Sequence, residues 1–415
     1  MFEDRLDRQL RIPGWNQSVL ERAKIGVVGD SDYLASHYLL AAAALGICNL
    51  VVIAPWLHEG LADAASQLNP KLRLTHVEGF YTHPMWDDIF RDCQLIVDLS
   101  QFGLANKLML NRAYQDDVPL VRAFCYQKNN EQGCKVFTYR KGREWQELEE
   151  IVCARQLPGE CVHDGILGII AAGLALEDTK NVLLGWPVPS EVVSYKSKQV
   201  VIDSATKKIC VVGAGALGNF VGLALGFSGF RHITFIDPDV VEVTNLNRQV
   251  LLHAGVGSNK AEILARRLNS MFTTEAVAVV DYLSRDSDIS GFDVVFDCVD
   301  NFESRIVISE LCQLTGKMLV SGGSNVAAGQ VIVYSPGSND GTPAELLGLQ
   351  EIVAERQISS FRRLRESCIY RPEPSVIMTN QIIAGIMVDS YRLVLAGEQP
   401  ANVFYDASSD LRFAS

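Results

Sequence analysis

The apolar positions of this chain fall into short unbroken runs, not alternating stripes. Ile25-Gly26-Val27-Val28 and Ile209-Cys210-Val211-Val212 each lead into a glycine, then into a long apolar segment with helical spacing, then into another apolar run. Short continuous runs bounded by turn residues are the pattern of strands buried on both faces, as in a parallel sheet. Strands alternating with helices predict βαβ units and a mainly parallel sheet. The stretch from Tyr38 to Trp56 carries no charged residue and is just long enough to span a bilayer. Gly46 and Asn49 divide it, so the expectation is a helix rich in Ala and Leu, a turn, and the buried strand Leu50-Val51-Val52-Ile53 of a soluble protein with no membrane partner.

The pattern is written twice, at a period of about 200 residues. Ile25 to Gly29 answers Ile209 to Gly213, and Leu95 to Leu99 answers Val294 to Cys298. Pro119-Leu120-Val121 answers Met318-Leu319-Val320, Gly133 to Tyr139 loosely answers Gly329 to Tyr334, and Ala172-Gly173 answers Ala384-Gly385. The expected fold class is therefore α/β, with two tandem Rossmann-like domains packed as a pseudo-dimer about an approximate two-fold axis. The apolar pattern breaks between Pro187 and Ser204, which sets the domains at residues 1–195 and 196–415.

Composition narrows the class. The 415 residues are 48% apolar and 21% charged, the balance of a soluble globular protein, and too many for one ordinary core. A net charge of -12 argues against nucleic acid, whose phosphates need a cationic surface. The basic run Arg362, Arg363 and Arg365 reads as a solvated helix face. Ten cysteines form no C-x-x-C pair, and the seven histidines stand at no metal-ligand spacing. With no secretory signal after Met1, the expectation is a reducing cytoplasm, no structural disulfide and no structural zinc.

The candidate chemistry lies in the second half. Gly213-Ala214-Gly215-Ala216-Leu217-Gly218 follows a strand and opens a helix, where glycines admit phosphate to the free N–H groups of a helix N-terminus. Alone, this turn describes a dinucleotide site as well as any other. The next strand ends at Ile236-Asp237, whose acid can hold ribose hydroxyls. Asp239, the run Thr244-Asn245-Leu246-Asn247-Arg248-Gln249 and Lys260 follow. Such a row of amide and cationic donors suits a nucleoside triphosphate, whose phosphate oxygens must be neutralised together. Asp297-Cys298-Val299-Asp300-Asn301 ends a further strand. Asp300 there is either a magnesium-binding carboxylate or a helix cap.

The set G-A-G-A-L-G, I-D-P-D, N-L-N-R-Q, S-N-K and D-C-V-D-N, in this order, resembles the ThiF/MoeB/ubiquitin-activating enzyme superfamily over nearly all of the second half. The first half resembles it more weakly, from Arg5-Leu6-Asp7-Arg8-Gln9, where Leu6 replaces the tyrosine of the family's R-Y-x-R-Q motif. The resemblance implies two ThiF-type adenylation domains, with ATP and Mg2+ as cofactors. The glycine turn (Gly213, Gly215, Ala216, Gly218) would cradle the nucleotide and Asp237 the ribose. Asn245, Arg248 and Lys260 would contact phosphates, with Asp239, Asn247, Gln249 and Asn301 beside them, and Asp300 would hold the metal. The C-terminal carboxylate of a small ubiquitin-like or sulfur-carrier protein ending in Gly would attack the α-phosphate, giving an acyl-adenylate and pyrophosphate.

The first half lacks this equipment. Its turn reads Gly29-Asp30-Ser31-Asp32-Tyr33-Leu34, with two carboxylates that would repel phosphate. Its second strand ends at Ile53-Ala54 without an acid, and Gln101 stands where the second half has Asp300. It keeps Arg8, which the second half does not match, so Arg8 is expected to cross to the second half's site and complete one site per chain. By the same resemblance Cys368, near Arg365 and Arg371, takes the acyl group as a thioester. The sequence runs only a few residues past Phe404-Tyr405-Asp406, so a rhodanese or ubiquitin-fold domain is not expected here. A conjugating enzyme would then dock on another surface. An inactive half fused to an active one suggests conjugation, in the manner of a prokaryotic ubiquitin-like pathway. The alternatives are a sulfur-carrier adenylyltransferase with no obligatory thioester, an NAD-dependent oxidoreductase, for which no nicotinamide-facing residues are found, and a non-catalytic binding module.

Overall fold

The computed structural model describes residues 5–142, 148–337, 341–355 and 373–414. Two short helices, α1 (Asp7–Leu10) and α2 (Gln17–Arg22), lead into β1 (Lys24–Val28), α3 (Leu34–Leu45), β2 (Asn49–Ala54), α4 (Glu59–Leu68) and β3 (Arg73–Glu78). Next come β4 (Leu95–Asp98), α5 (Gly103–Asp116), β5 (Leu120–Lys128), β6 (Glu131–Tyr139), the long helix α6 (Gly165–Leu184) and β7 (Val193–Lys198). The second half repeats this with β8 (Lys208–Val212), α7 (Ala216–Phe227), β9 (His232–Ile236), α8 (Lys260–Met271) and β10 (Val277–Val279). It continues through β11 (Val294–Asp297), α9 (Phe302–Thr315), β12 (Met318–Ser324), β13 (Ala328–Tyr334), α10 (Ile377–Leu395), β14 (Val403–Asp406) and β15 (Phe413–Ala414).

The strands form two sheets, ordered β3-β2-β1-β4-β5-β6-β7 and β10-β9-β8-β11-β12-β13-β14-β15. Each is parallel as far as β5 or β12 and antiparallel beyond it. The fold is α/β, with two Rossmann-like halves. The division expected at 195/196 falls inside β7; the sheets change over between Lys198 and Lys208.

Why the helix-spaced runs are apolar on every side is clear from the layering. Helices α3 and α6 of the first half and α7 and α10 of the second meet between the two sheets, so each is covered by its own sheet and by the other half. Every residue of α3 is buried. The Tyr38–Trp56 stretch is accordingly the end of α3, a left-handed turn at Gly46 (φ 93°) and β2. No helix among the described residues is long and apolar enough to cross a membrane.

The two halves pack through reciprocal contacts. A Cβ on Gly173 of α6 would lie 2.7 Å from Cγ1 of Ile382, and one on Gly385 of α10 would lie 2.5 Å from Cγ1 of Ile170. Ile170/Gly173 and Ile382/Gly385 are equivalent positions, so each glycine receives the other helix's isoleucine. That is the self-complementary contact of a two-fold interface, made here within one chain. Buried polar ties fix the pairing: Arg392 of α10 bonds Asp164 at 2.6 Å, and Tyr195 donates to Asp389 at 2.7 Å. Arg412 pairs with Asp178 at 2.5 Å. Breaking one such pair would leave a buried charge uncompensated.

Candidate active site

In each sheet the strand order reverses beside the first strand, and ligands of open α/β sheets bind in the crevice at that point. In the second half the G-A-G-A-L-G turn sits there, and its glycines have separate reasons to be glycine. Gly213 has φ +97°, and a Cβ on it would lie 2.8 Å from the Cys298 carbonyl oxygen. A Cβ on Gly218 would collide with the Gly213 carbonyl, so this glycine lets α7 close onto β8. Gly215 caps α7 and is open; a Cβ there would meet only Nε2 of Gln249, at 3.8 Å. The open side of the turn, leading to Ala216 and the N-terminus of α7, is thus the side a phosphate could reach.

Asp237, at the end of β9, holds the turn from behind. Its carboxylate accepts the N–H groups of Ala214 (2.6 Å) and Asp239 (2.8 Å). Burial raises its pKa above the ordinary carboxylate value, while those two bonds and Lys260 oppose the rise. Asn219, fully buried in α7, donates to the Ala214 and Gly215 carbonyls and accepts from the Leu251 N–H at 2.9 Å. It joins the glycine turn to the N-L-N-R-Q segment. Sequence reading missed it; its signal was a lone amide in the apolar start of a helix.

The N-L-N-R-Q side chains divide their work. Asn245 Oδ1 accepts the Glu242 N–H in a capping box, and Asn247 Nδ2 donates to Gln9 Oε1 (3.3 Å) and to the Ser375 carbonyl (3.2 Å). Both amides therefore shape the segment and its contact with the first half. Arg248 donates to the Thr244 carbonyl and to Asn247 Oδ1. Gln249 is buried over Gly215, and its Oε1 has no partner among the described residues. Lys260, first residue of α8, pairs with Asp239 at 2.7 Å. Asn259 donates to the Asp237 and Asp239 carbonyls and caps α8, a second role that sequence reading did not assign.

Asp300 stands exposed on the turn between β11 and α9. The cap of α9 belongs to its neighbour: Asn301 Oδ1 accepts the Ser304 N–H at 2.7 Å. The turn is held from beneath by Arg305, which bonds Asp297 (3.0 Å), Ser321 and the Val299 carbonyl. Among the described residues no group of three His, Cys, Asp or Glu side chains is placed to hold a metal ion. A single carboxylate such as Asp300 suits magnesium only when phosphate oxygens and water complete the shell.

Arg8 reaches this site from the other half. Arg5 and Gln9 of the same segment turn inward, donating to the Ala44 (2.6 Å) and Leu45 (2.9 Å) carbonyls at the end of α3. Burial pushes the Arg5 pKa down to about 10. Arg8 points away from them and donates to the Glu373 carbonyl at 2.9 Å. The Arg248 pKa is also pushed down to about 10, first by burial and next by the positive charge of Arg8, while Asp300 opposes the shift. The geometric link is one residue away on each side: Asn247, next to Arg248, donates to Gln9, next to Arg8, so the two arginine-bearing segments meet across the halves. Cys368, with Arg365 and Arg371, lies outside the described residues.

The equivalent place in the first half is filled. Asp30 and Asp32 are buried and share Gln101: its N–H goes to Asp30 and its side-chain amide to Asp32. Burial raises their pKa values to about 7 and about 6. Tyr33 occupies the start of α3, its ring 4.6 Å from that of Phe227 and 5.5 Å from that of Trp56. Burial also pushes the nearby Cys161 thiol up to about 12, the reverse of an activated nucleophile.

A stability test follows from Asp30. The folded chain keeps this proton at pH values where the unfolded carboxyl has released it, so stability falls as pH rises from about 4 to about 7. Asp30→Asn should remove that fall, so that the variant gains on the parent by several kcal/mol, on the order of 4, between pH 4 and pH 8, with roughly a third of that gain already present at pH 5. Urea unfolding at the two pH values reads this directly. Equal differences at both would exclude a buried Asp30 proton.

Two Rossmann-like halves, one with an open glycine turn where its strand order reverses, define a doubly wound protein of the nucleotide-binding type. The chain belongs to the ThiF family, which it matches over residues 196–409. It is similar to the adenylyltransferase and sulfurtransferase MOCS3 of Mus musculus, 39% identical over 146 residues, which is 34% of this chain and 31% of that protein. To the adenylyltransferase and sulfurtransferase UBA4 of Candida albicans it is 33% identical over 149 residues, 35% of this chain and 34% of that one. Its matches span about a third of the length of these relatives. Among solved structures it is similar to E. coli MccB with AMPCPP and MccA, at 19% identity and a TM-score of 0.41, covering 51% of this chain and 63% of that one.

Proposed function

We propose that this protein uses ATP to adenylate the C-terminal carboxylate of a small ubiquitin-like or sulfur-carrier protein. The observation that carries the reading is the contact of Asn247 in the N-L-N-R-Q segment with Gln9 of the first half, which brings the segment bearing Arg8 to the segment whose Gln249 lies over the open face of Gly215. The names of the relatives, adenylyltransferase and sulfurtransferase, support the same reaction class.

In this reading the glycine turn and the α7 N-terminus receive phosphate, and Asp237 orients the ribose. Arg248 and Lys260 balance phosphate charge, with Lys260 leaving Asp239 to do so. Asp300 holds magnesium, which supplies charge neutralisation on the triphosphate when bound. The carrier's carboxylate oxygen forms a bond to the α-phosphorus as the bond to the bridging oxygen of pyrophosphate breaks. Arg8 and Arg248 face the negative charge that grows on the α-phosphate. A divided protein is consistent with this economy, since the filled first-half turn leaves one site per chain.

Labelled pyrophosphate should exchange into ATP only when the cognate carrier is present; exchange without any carrier would sink the proposal. Transfer to Cys368 as a thioester is the further step, with the thiolate displacing AMP from the acyl-adenylate. Cys368→Ala should keep the exchange reaction and lose the carrier adduct that reducing agents release. A variant that forms this adduct normally removes Cys368 from the pathway. Unimpaired transfer by the variant would favour the sulfur-carrier reading, which the relatives' names support, over conjugation with a dedicated conjugating enzyme.

A further inference from the structure

The two ends of the pseudo-two-fold are not filled alike. At the end of α3, Arg5 and Gln9 bond the last carbonyls, Leu6 lies over Gly46 (Cδ1 3.3 Å from a Cβ placed there), and Gln17 closes the groove. The left-handed Gly46 (φ +93°) has its counterpart in Gly229 (φ +77°), just after α7. Over Gly229 stands only Ser204, 3.2 Å from a Cβ placed there. The chain cannot build a second α1 at this spot, because the preceding residues Val193–Lys198 are committed to β7. In its place is a cleft of about 580 Å³, lined by Phe227, Gly229 and Arg231 after α7, Met271 and Thr273 at the end of α8, and Tyr33 of the first half.

We propose that this cleft receives a short helix of a partner protein bearing an arginine next to an apolar residue, the chemistry by which Arg5 and Leu6 fill the counterpart groove. Two helices, α7 and α8, end at the cleft, and the negative dipole end of a helix C-terminus favours a guanidinium. The floor is aromatic: Phe227 lies 4.6 Å from Tyr33 and 4.8 Å from Phe272, ring centre to ring centre, which suits an apolar side chain and a cation over a ring face. Arg231 does not oppose a cation strongly, because it is paired with Glu275 at 3.2 Å. Burial lowers the His58 pKa, so that imidazole adds no charge near neutral pH.

The probe is a fluorescein-labelled peptide with the sequence of residues 5–18 of this chain, titrated against the full chain and followed by anisotropy. Saturable binding with a Kd on the order of 10–100 µM is expected. It should weaken at least about tenfold when the peptide carries Arg5→Ala, and by as much when the chain carries Thr273→Trp, an exposed position at the cleft whose change leaves the core intact. No binding up to about 1 mM peptide would overturn the proposal. So would binding untouched by Thr273→Trp, which would mean that the peptide exchanges with the chain's own α1 instead. A concentration-dependent dimer of the peptide-free chain, abolished by Thr273→Trp, would give the cleft to a second copy and equally overturn the partner reading.

Discussion

Asp300→Ala should remove exchange of labelled pyrophosphate into ATP while leaving the fold intact. The side chain is exposed and makes no hydrogen bond or ion pair with another described residue, so unfolding free energy should move by no more than about 0.5 kcal/mol. Its charge does matter locally, since it is one of the two groups that counter the lowering of the Arg248 pKa. If Asp300 anchors magnesium against the triphosphate, its loss removes several kcal/mol of transition-state stabilisation, about a thousandfold or more in rate. Asp300→Asn should be nearly as inactive, because an amide can occupy the position without the charge. Exchange at the parent's rate in either variant would take Asp300 out of the mechanism.

Arg8→Ala should lower adenylation by about 100- to 1000-fold, the usual cost of removing one preorganised donor from a charge-developing site. Nucleotide binding should weaken much less, because Arg248, Lys260 and the glycine turn all belong to the second half. Folding should be little changed, since Arg5 and Gln9, not Arg8, fasten α1 to α3. The result separates chemistry from binding, and a mixing experiment then locates the arginine. Chains carrying Arg8→Ala mixed with chains carrying Asp300→Ala should stay inactive, because the contact between Arg8 and the second half is made within one chain. Activity recovered on mixing would place Arg8 at another chain's site and refute the one-chain arrangement.

What the sequence made legible was whatever depends on local pattern. The unbroken apolar runs gave the strands, and the helix-spaced apolar segments after Gly29 and Gly213 gave α3 and α7; α6 and α10 showed only as the matched pairs Ala172-Gly173 and Ala384-Gly385. Those helices could be all-round apolar only if something covered both their faces, and the internal repeat supplied that cover. The glycine turn was legible because φ at Gly213 and the close approach at Gly218 demand glycine wherever the turn occurs. Less accessible was the direction in which polar side chains point. Asn245 and Asn247 read as donors in a row, and the structure adds a task for each that spacing does not reveal: the Asn245 oxygen caps a turn, and the Asn247 amide links to Gln9 and Ser375. Asn219 and Arg305 are single polar residues in helices, and their partners lie on other elements, at Leu251 and at Asp297 and Ser321. Tyr33 and Phe227 meet across nearly two hundred positions, a distance over which no pattern of spacing carries information.

The exchange of isoleucines between Gly173 and Gly385 has a consequence for the covalent chain itself. No strand or helix runs through residues 199–207, and the sheets on either side are complete without that segment. Severed there, the two polypeptides would each present a largely apolar helical face, with buried charges whose partners lie on the other piece. They should therefore assemble as an obligate heterodimer with the same site, and neither should persist alone. The peptide connection serves chiefly to guarantee equal numbers of the two halves, so that each glycine turn of the second half is born beside the first-half segment that carries Arg8.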